Sequence, residues 1–119
     1  MDKINLNEKF ALFSEQWSQK TIGEINDYAV KIAKVQGEFI WHHHDNEDEL
    51  FYVVKGNFDM HFRDKTITIN AGEFLIVPKG IEHKPVAEKE VSIMLFEPAT
   101  TLNTGNIVDE KTVTNLEFI

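Results

Sequence analysis

The chain has 119 residues, no cysteine and a net charge of −8, from 20 acidic and 12 basic side chains. This length predicts one domain with a sizeable hydrophobic core. The absence of cysteine excludes disulfides, zinc–thiolate sites, iron–sulfur clusters and thiol nucleophiles. The basic residues are scattered singly, whereas binding to nucleic acid or anionic membranes needs a clustered basic patch. The N-terminus also lacks an apolar signal-peptide core, so we expect a cytoplasmic protein without nucleic-acid or membrane partners.

The first candidate element is a helix over residues 5–17. Its apolar residues Leu6, Phe10, Phe13 and Trp17 recur at spacings of three to four, which is the period of one helix face. A bent edge strand is the alternative for this segment.

From residue 21 onward the sequence changes to short alternating runs separated by turns rich in Gly, Asn, Asp and Pro. We predict strands at residues 28–35, 39–44, 50–55, 58–63, 66–69, 74–77 and 91–96, and a short one near the C-terminus. Many short strands at regular spacing are typical of a β-sandwich or barrel. The sequence predicts one all-β domain, with an N-terminal segment (1–27), a barrel core (28–97) and a tail (98–119).

The least ordinary stretch is the run of three histidines, His42, His43 and His44, followed by Glu49. Alternate side chains of a strand share a face, so His42 and His44 are expected to point one way and His43 the other. A hairpin would bring Glu49 back beside the pair. Two histidines and one carboxylate can hold a metal ion and leave positions open for substrate or oxygen.

The spacing of these residues alone does not decide which carboxylate binds the metal, or whether a metal site is present. Glu47 and Asp48 are rival carboxylate ligands, and an incidental polar cluster is the alternative to a metal site. His83 follows the turn at residues 78–80, in a loop that a barrel can fold over the same mouth, and would be a fourth ligand. We expect His61 to be a surface residue, and His43 to be a surface residue or a support for the ligands.

Two stretches carry a resemblance to a known family. Gly37-x4-His42-x-His44-x4-Glu49-x6-Gly56 resembles the first motif of the cupins, with one residue fewer than usual before the first histidine. Gly72-x5-Pro78-x-Gly80-x2-His83 resembles the second motif. With the short separation between the motifs, the sequence is similar to small single-domain bacterial cupins, which often carry only a mannose-6-phosphate-isomerase-like label.

The resemblance implies a cupin-type jelly-roll β-barrel, an antiparallel double sheet whose mouth holds one divalent metal ion. Carried over residue by residue, the implied ligands are His42, His44, Glu49 and His83. The second motif often ends in an Asn where this chain has Ala87; that Asn is not a ligand, so the ligand set is expected to be complete. Such a set accepts Fe, Mn, Co, Ni, Cu or Zn, and the identity of the metal stays open.

Alternation along the strands predicts the lining of a largely apolar pocket: Ile40, Phe51, Val53, Phe58, Met60 and Phe62. Few basic residues are in phase with this set, so no clamp for a sugar phosphate is expected. We therefore predict a metal-dependent enzyme for a small organic molecule, of the dioxygenase type, with Glu49 available as a base. The alternatives are an isomerase of a sugar or keto acid and a non-catalytic binding module.

The N-terminal segment has more apolar residues than one small barrel needs: Phe10, Leu12, Phe13, Trp17, Ile22 and Ile25. Small cupins commonly pair as dimers. We predict a homodimer in which this segment crosses to, or packs on, the partner's sheet; the alternative is that it covers its own barrel.

Overall fold

The computed structural model describes all residues, 1–119. It has one short helix and eight strands: α1 (Leu6–Phe10), β1 (Lys20–Ile25), β2 (Tyr28–Glu38), β3 (Glu49–Lys55), β4 (Asn57–Phe62), β5 (Thr66–Asn70), β6 (Phe74–Val77), β7 (His83–Pro98) and β8 (Glu117–Phe118). All strand pairs are antiparallel except β1 with β8. The predicted all-β jelly-roll architecture is confirmed.

The long strand β7 joins the two halves of the barrel. Its first residues pair with β4, where Phe62 lies opposite His83, and its later residues pair with β3, where Phe51 lies opposite Leu95. The strand β2 pairs along most of the length of β7. Because β7 belongs to both layers, its N-terminal end brings His83 to the same end of the barrel as the start of β3.

The interior is filled by alternate residues of these strands. The main core consists of Ala33, Val35, Phe51, Val53, Phe58, Met60, Ile69, Val77, Ala87, Val91, Ile93 and Leu95. Phe58 and Met60 face this interior, as alternation predicted, and are 2% and 0% exposed.

The predicted N-terminal helix is wrong beyond its first turns. Asn5 caps α1, because its side chain accepts a hydrogen bond from the backbone N–H of Glu8 at 2.9 Å, but α1 ends at Phe10. Trp17 has a φ of 58°, in the left-handed region, and its N–H donates to the carbonyl of Lys34 at 2.8 Å. These backbone constraints prevent a helix from continuing to Trp17.

The predicted strand at residues 39–44 is also wrong. Its only strand-like contact is a pair of backbone hydrogen bonds between His42 and His83, at 3.1 and 2.9 Å. The N–H of Phe39 instead donates to the carbonyl of Pro85, and the N–H of His43 donates to the side chain of Asn106. The segment is a loop because its backbone partners come from different parts of the chain.

Two further boundaries differ from the prediction. The strand β2 does not end at Gly37 but continues to Glu38, with a register irregularity between Val35 and Gly37. The strand β7 begins at His83 rather than at residue 91, because the mixed-charge run at residues 88–90 hides its alternation from the sequence.

The N-terminal segment packs on the outer face of its own barrel. Phe10 and Phe13, with ring centroids 6.1 Å apart, form a second small core with Ile22 and Ile32. This arrangement is the alternative in which the segment covers its own sheet, and the homodimer stays a prediction. The chain forms no helix with the length and apolar character that a membrane span requires.

Candidate metal centre

Three elements bring the four predicted ligand residues together. His42 and His44 lie in the loop between β2 and β3, Glu49 is the first residue of β3, and His83 is the first residue of β7. We call these four residues the cluster. All four are buried, and one donor atom from each lies within 4.8 Å of the others.

Backbone carbonyls hold two of the imidazoles. Nδ1 of His42 lies 2.9 Å from the carbonyl oxygen of Ile40, and Nδ1 of His83 lies 2.8 Å from that of Ile81. A carbonyl oxygen can only accept, so Nδ1–H is the donor in each ring and Nε2 keeps its lone pair. Metal-binding histidines commonly have this second hydrogen bond, which fixes the tautomer and the ring orientation.

The donor atoms of the cluster lie close together but form no hydrogen bonds with one another. Nε2 of His44 lies 2.8 Å, and Nε2 of His83 3.4 Å, from Oε1 of Glu49. Despite these distances, none of the three atoms has a hydrogen-bond partner of suitable geometry, and all three are buried. Buried polar atoms without partners are rare, and imidazole nitrogens with a carboxylate oxygen suit divalent transition metals. The cluster can therefore hold one such ion.

The protonation states of His42 and Glu49 also favour metal binding. Burial lowers the pKa of His42 to about 4, and the neighbouring His83 adds to this effect, so His42 is an uncharged base at neutral pH. Burial raises the pKa of the Glu49 carboxyl, but contacts with Glu97 and with two histidines of the cluster outweigh it and lower that pKa well below its usual value. Neutral imidazole and ionised carboxylate are the forms that bind metals.

The chain is similar to known proteins in both sequence and fold. A model of the cupin domain family, Cupin_2, matches residues 29–97. The chain belongs to the Cupin_2 family. A solved cupin-2 domain containing protein from Shewanella frigidimarina NCIMB 400 is 52% identical and has a TM-score of 0.79, covering 80% of this chain and 93% of that one.

Two other similar proteins show how little family membership says about the function of this chain. The uncharacterized protein YdbB of Bacillus subtilis (strain 168) is 41% identical over 80 residues, which are 66% of this chain and 65% of that relative. This chain therefore covers just under two thirds of the length of YdbB. A solved structure of hydroquinone 1,2-dioxygenase PnpCD, in complex with Cd²⁺ and 4-hydroxybenzonitrile, has a TM-score of 0.64 at 14% identity, and shows a shared fold alone.

Next to its cluster, this cupin has a buried lysine–glutamate pair that sequence reasoning missed. Nζ of Lys31 lies 2.9 Å from Oε1 of Glu97, and the two side chains are 1% and 0% exposed. Burial and the adjacent charge of Glu49 raise the pKa of Glu97 well above its usual value, against the opposing effect of Lys31. Alternation could have found both residues, because Lys31 is in phase with buried Ala29 and Glu97 with buried Leu95.

A cavity of about 40 Å³ adjoins the cluster in this cupin. His42 and Glu49 belong to its wall, and its other lining residues are Trp17, Gln19, Ala33, Val35, Phe39, Phe51, Pro85, Ile93, Leu95 and Asn103. Of the six residues predicted to line the pocket, only Phe51 does so. Val53, Phe58 and Met60 are in the core, Phe62 packs against it, and Ile40 is half-buried. Alternation tells which side chains face inward but not at which depth of the barrel they lie.

The remaining candidates are outside the cluster. Oδ1 of Asp48 accepts a hydrogen bond from the N–H of Lys79, and Glu47 contacts Thr100, so neither rival carboxylate is among the grouped donors. His43 is half-buried, with Nε2 2.9 Å from Oδ1 of Asp45. His61 is half-buried rather than fully exposed.

The tail of this cupin bonds to the loop at residues 39–44, which we call the histidine loop, and sequence reasoning missed these contacts as well. The side-chain oxygen of Asn106 accepts a hydrogen bond from the N–H of His43, and the N–H of Asn106 donates to the carbonyl of His43, both at 2.9 Å. A Cβ at Gly105, whose φ is 57°, would clash with the same carbonyl and lie 3.2 Å from the ring of His42. The tail therefore fixes the peptide between two cluster histidines.

Proposed function

We propose that this cupin is a metal-dependent enzyme of the dioxygenase type that acts on a small organic molecule. In this proposal His42, His44, Glu49 and His83 hold one divalent ion. The observation that carries it is the set of buried, unsatisfied donor atoms in the cluster, directly beside a mainly apolar cavity. When bound, a metal in such a site supplies Lewis-acid and redox chemistry.

The chain's own residues have three tasks in this proposal. His42 and Glu49 belong both to the cluster and to the cavity wall, so a molecule in the cavity is oriented against the ligand set. The apolar wall around Phe51 excludes water from that side. Glu49 is the candidate base, because its carboxylate is ionised and reaches the cavity; its lowered pKa makes it a weak proton acceptor, suited only to a hydroxyl that a bound metal would acidify.

An isomerase of sugar phosphates is less well supported. The cavity is lined by no lysine or arginine, and Lys31, which is buried next to the cluster, is already paired with Glu97. A phosphate group would therefore have no cationic partner in the cavity wall. A non-catalytic module that binds a small ligand uses the same cluster and cavity, and differs only in having no turnover.

The first experiment tests the ligand set. We expect metal to co-purify with untagged protein and to be measured by elemental analysis, and we expect the variants Glu49→Gln and His83→Asn to lose it. His43→Asn and His61→Asn are matched controls that should keep it. Equal metal content in all five proteins, or no divalent metal in any of them after reconstitution, would contradict the proposed site.

The second experiment tests the reaction. Iron-loaded protein is mixed with small diketones or catechols, and oxygen consumption is recorded with an electrode. Metal-dependent oxygen uptake that is lost in Glu49→Gln supports the dioxygenase. Turnover of mannose 6-phosphate without oxygen would instead support the isomerase. Thermal stabilisation by a ligand without turnover would support the non-catalytic binding module.

A further inference from the structure

Gln19 is a polar residue of the cavity wall outside the cluster. Asn103 is another, but its amide bonds to Lys111 and Val113. Gln19 belongs to the cavity wall together with His42 and Glu49, and its Oε1 atom is buried without a hydrogen-bond partner. Leaving a buried acceptor unpaired costs free energy, and native proteins rarely do so without a reason. A donor group of a bound molecule would satisfy this oxygen.

An aromatic wall stands next to Gln19 in a fixed position. Trp17 stacks on Phe39 with ring centroids 4.7 Å apart, and its indole N–H donates to the carbonyl of Gln36 at 2.9 Å. Its backbone has a φ of 58°, which is unfavourable for a bulky residue. Such strain is concentrated at ligand sites, where the surrounding structure maintains it. Trp17 and Phe39 therefore form a pre-organised apolar surface inside the cavity.

Charge and size restrict what fits there. The cavity wall has no lysine or arginine, so an anionic group has no cationic side chain to pair with away from the cluster. The enclosed volume of about 40 Å³ is a few times the 10–15 Å³ that one water needs, so the part of a molecule that enters it has only a handful of non-hydrogen atoms.

We infer that the cavity of this cupin selects a short, uncharged hydroxy-ketone or enol, whose hydroxyl donates to Oε1 of Gln19 while its carbon chain lies against Trp17 and its carbonyl faces the cluster. This inference rests on the proposed function, because it names the substrate class of the same site. A hydroxyl fits here because the buried, unpaired atom of Gln19 is its oxygen, which is an acceptor.

Two molecules of equal size distinguish the contribution of this hydroxyl to binding from the contribution of molecular shape. Hydroxyacetone and butan-2-one differ only by a hydroxyl in place of a methyl group. Their binding to metal-loaded and to chelator-treated protein is measured by the fluorescence of Trp17 in a Trp41→Phe background, since Trp41 lies against Arg63 outside the cavity. We expect hydroxyacetone to bind about five- to tenfold more tightly, which is what one hydrogen bond to a buried acceptor provides.

The variant Gln19→Met keeps the size of the side chain and removes the acceptor. It should bring the ratio of the two dissociation constants close to one and leave the metal content unchanged. Gln16→Met is the control, because Gln16 is exposed and bonds to Gln36 and Glu90. Equal binding of both molecules to the parent protein, no binding of hydroxyacetone, or an unchanged ratio in Gln19→Met would overturn the inference.

These outcomes are distinguishable from a failure of the proposed function. If the protein holds no metal and consumes no oxygen but still prefers hydroxyacetone through Gln19, only the enzyme proposal fails. If metal binding and oxygen uptake are found but Gln19→Met leaves the preference intact, only the substrate inference fails.

Discussion

His42 is kept uncharged by its surroundings, and this affects folding as well as metal binding. Its pKa is about 4 in the folded chain, against 6.5 for an unperturbed histidine. Between these two values the unfolded chain binds more protons than the folded chain, so acid favours unfolding. The contribution to stability is complete above pH 6.5 and is lost as the pH falls towards 4.

We therefore predict that chelator-treated protein loses up to roughly 3 kcal/mol of unfolding free energy between pH 6.5 and 4 through this residue. Urea unfolding at a series of pH values measures the slope. The variant His42→Gln lacks the titrating group and should have a shallower slope. Identical slopes in the two proteins would contradict the assignment.

The pair of Lys31 and Glu97 gives a second prediction for single residues. Lys31→Met removes the ammonium group and leaves the buried carboxyls of Glu49 and Glu97 next to each other without a cation, so we expect a loss of about 3 kcal/mol. Glu97→Gln keeps an oxygen that can accept from Lys31 and should cost about 1 kcal/mol. Urea unfolding of the chelator-treated variants measures both losses. A smaller loss for Lys31→Met than for Glu97→Gln would show that the ammonium does not support the carboxyls.

At the scale of elements, the tail acts on the cluster through the histidine loop. Asn106 makes two hydrogen bonds to His43, the residue between two cluster histidines. Without the side chain of Asn106 the loop keeps only one of them, and the imidazoles are less well oriented. We predict that Asn106→Ala weakens metal binding about tenfold, the lower end of the range for residues that support metal ligands.

Titration calorimetry with Zn²⁺ or Mn²⁺ measures this loss of affinity. Val108→Ala is the control in the same tail, because Val108 is 83% exposed. Gly105→Ala should act in the same direction as Asn106→Ala, since its added methyl group meets the carbonyl of His43. An unchanged affinity in both variants, with Val108→Ala as the reference, would show that the tail only covers the loop.

The elements also show what a sequence can predict. Strands β3 to β6 were found within a residue or so of their ends, because their apolar residues alternate and clear turns bound them. The loop at residues 39–44 was not predicted, since its backbone partners lie more than thirty residues away, at Gly80, His83, Pro85 and Asn106. The four cluster residues followed from motif spacing, whereas Gln19 and Trp17 enter the cavity wall only through the fold of the N-terminal segment.

At the scale of the whole molecule, the outer face of the β2–β7–β3–β6 sheet has an apolar stripe that crosses all four strands. Two cross-strand rows lie on it: Val30, Phe96, Leu50 and Ile76, and next to them Ile32, Met94, Tyr52 and Phe74. The N-terminal segment covers one end, where Ile32 is 0% exposed. At the other end Phe74 and Ile76 are 60% and 52% exposed, on a strand that pairs only with β3.

We predict that a homodimer forms through the uncovered end of this face, with a second copy of the chain on β6 and not on the N-terminal segment as the sequence suggested. Exposed apolar residues beside a free strand edge favour association, and two copies meeting on the same face form a self-complementary contact. We predict a dimer by light scattering at micromolar concentration, and a shift to monomer in Phe74→Glu, because a carboxylate would be buried without a partner. Val108→Glu adds the same charge at an exposed position of the tail and should remain dimeric. A monomeric parent protein would refute the dimer, and a dimer that persists in Phe74→Glu would place the interface on another surface.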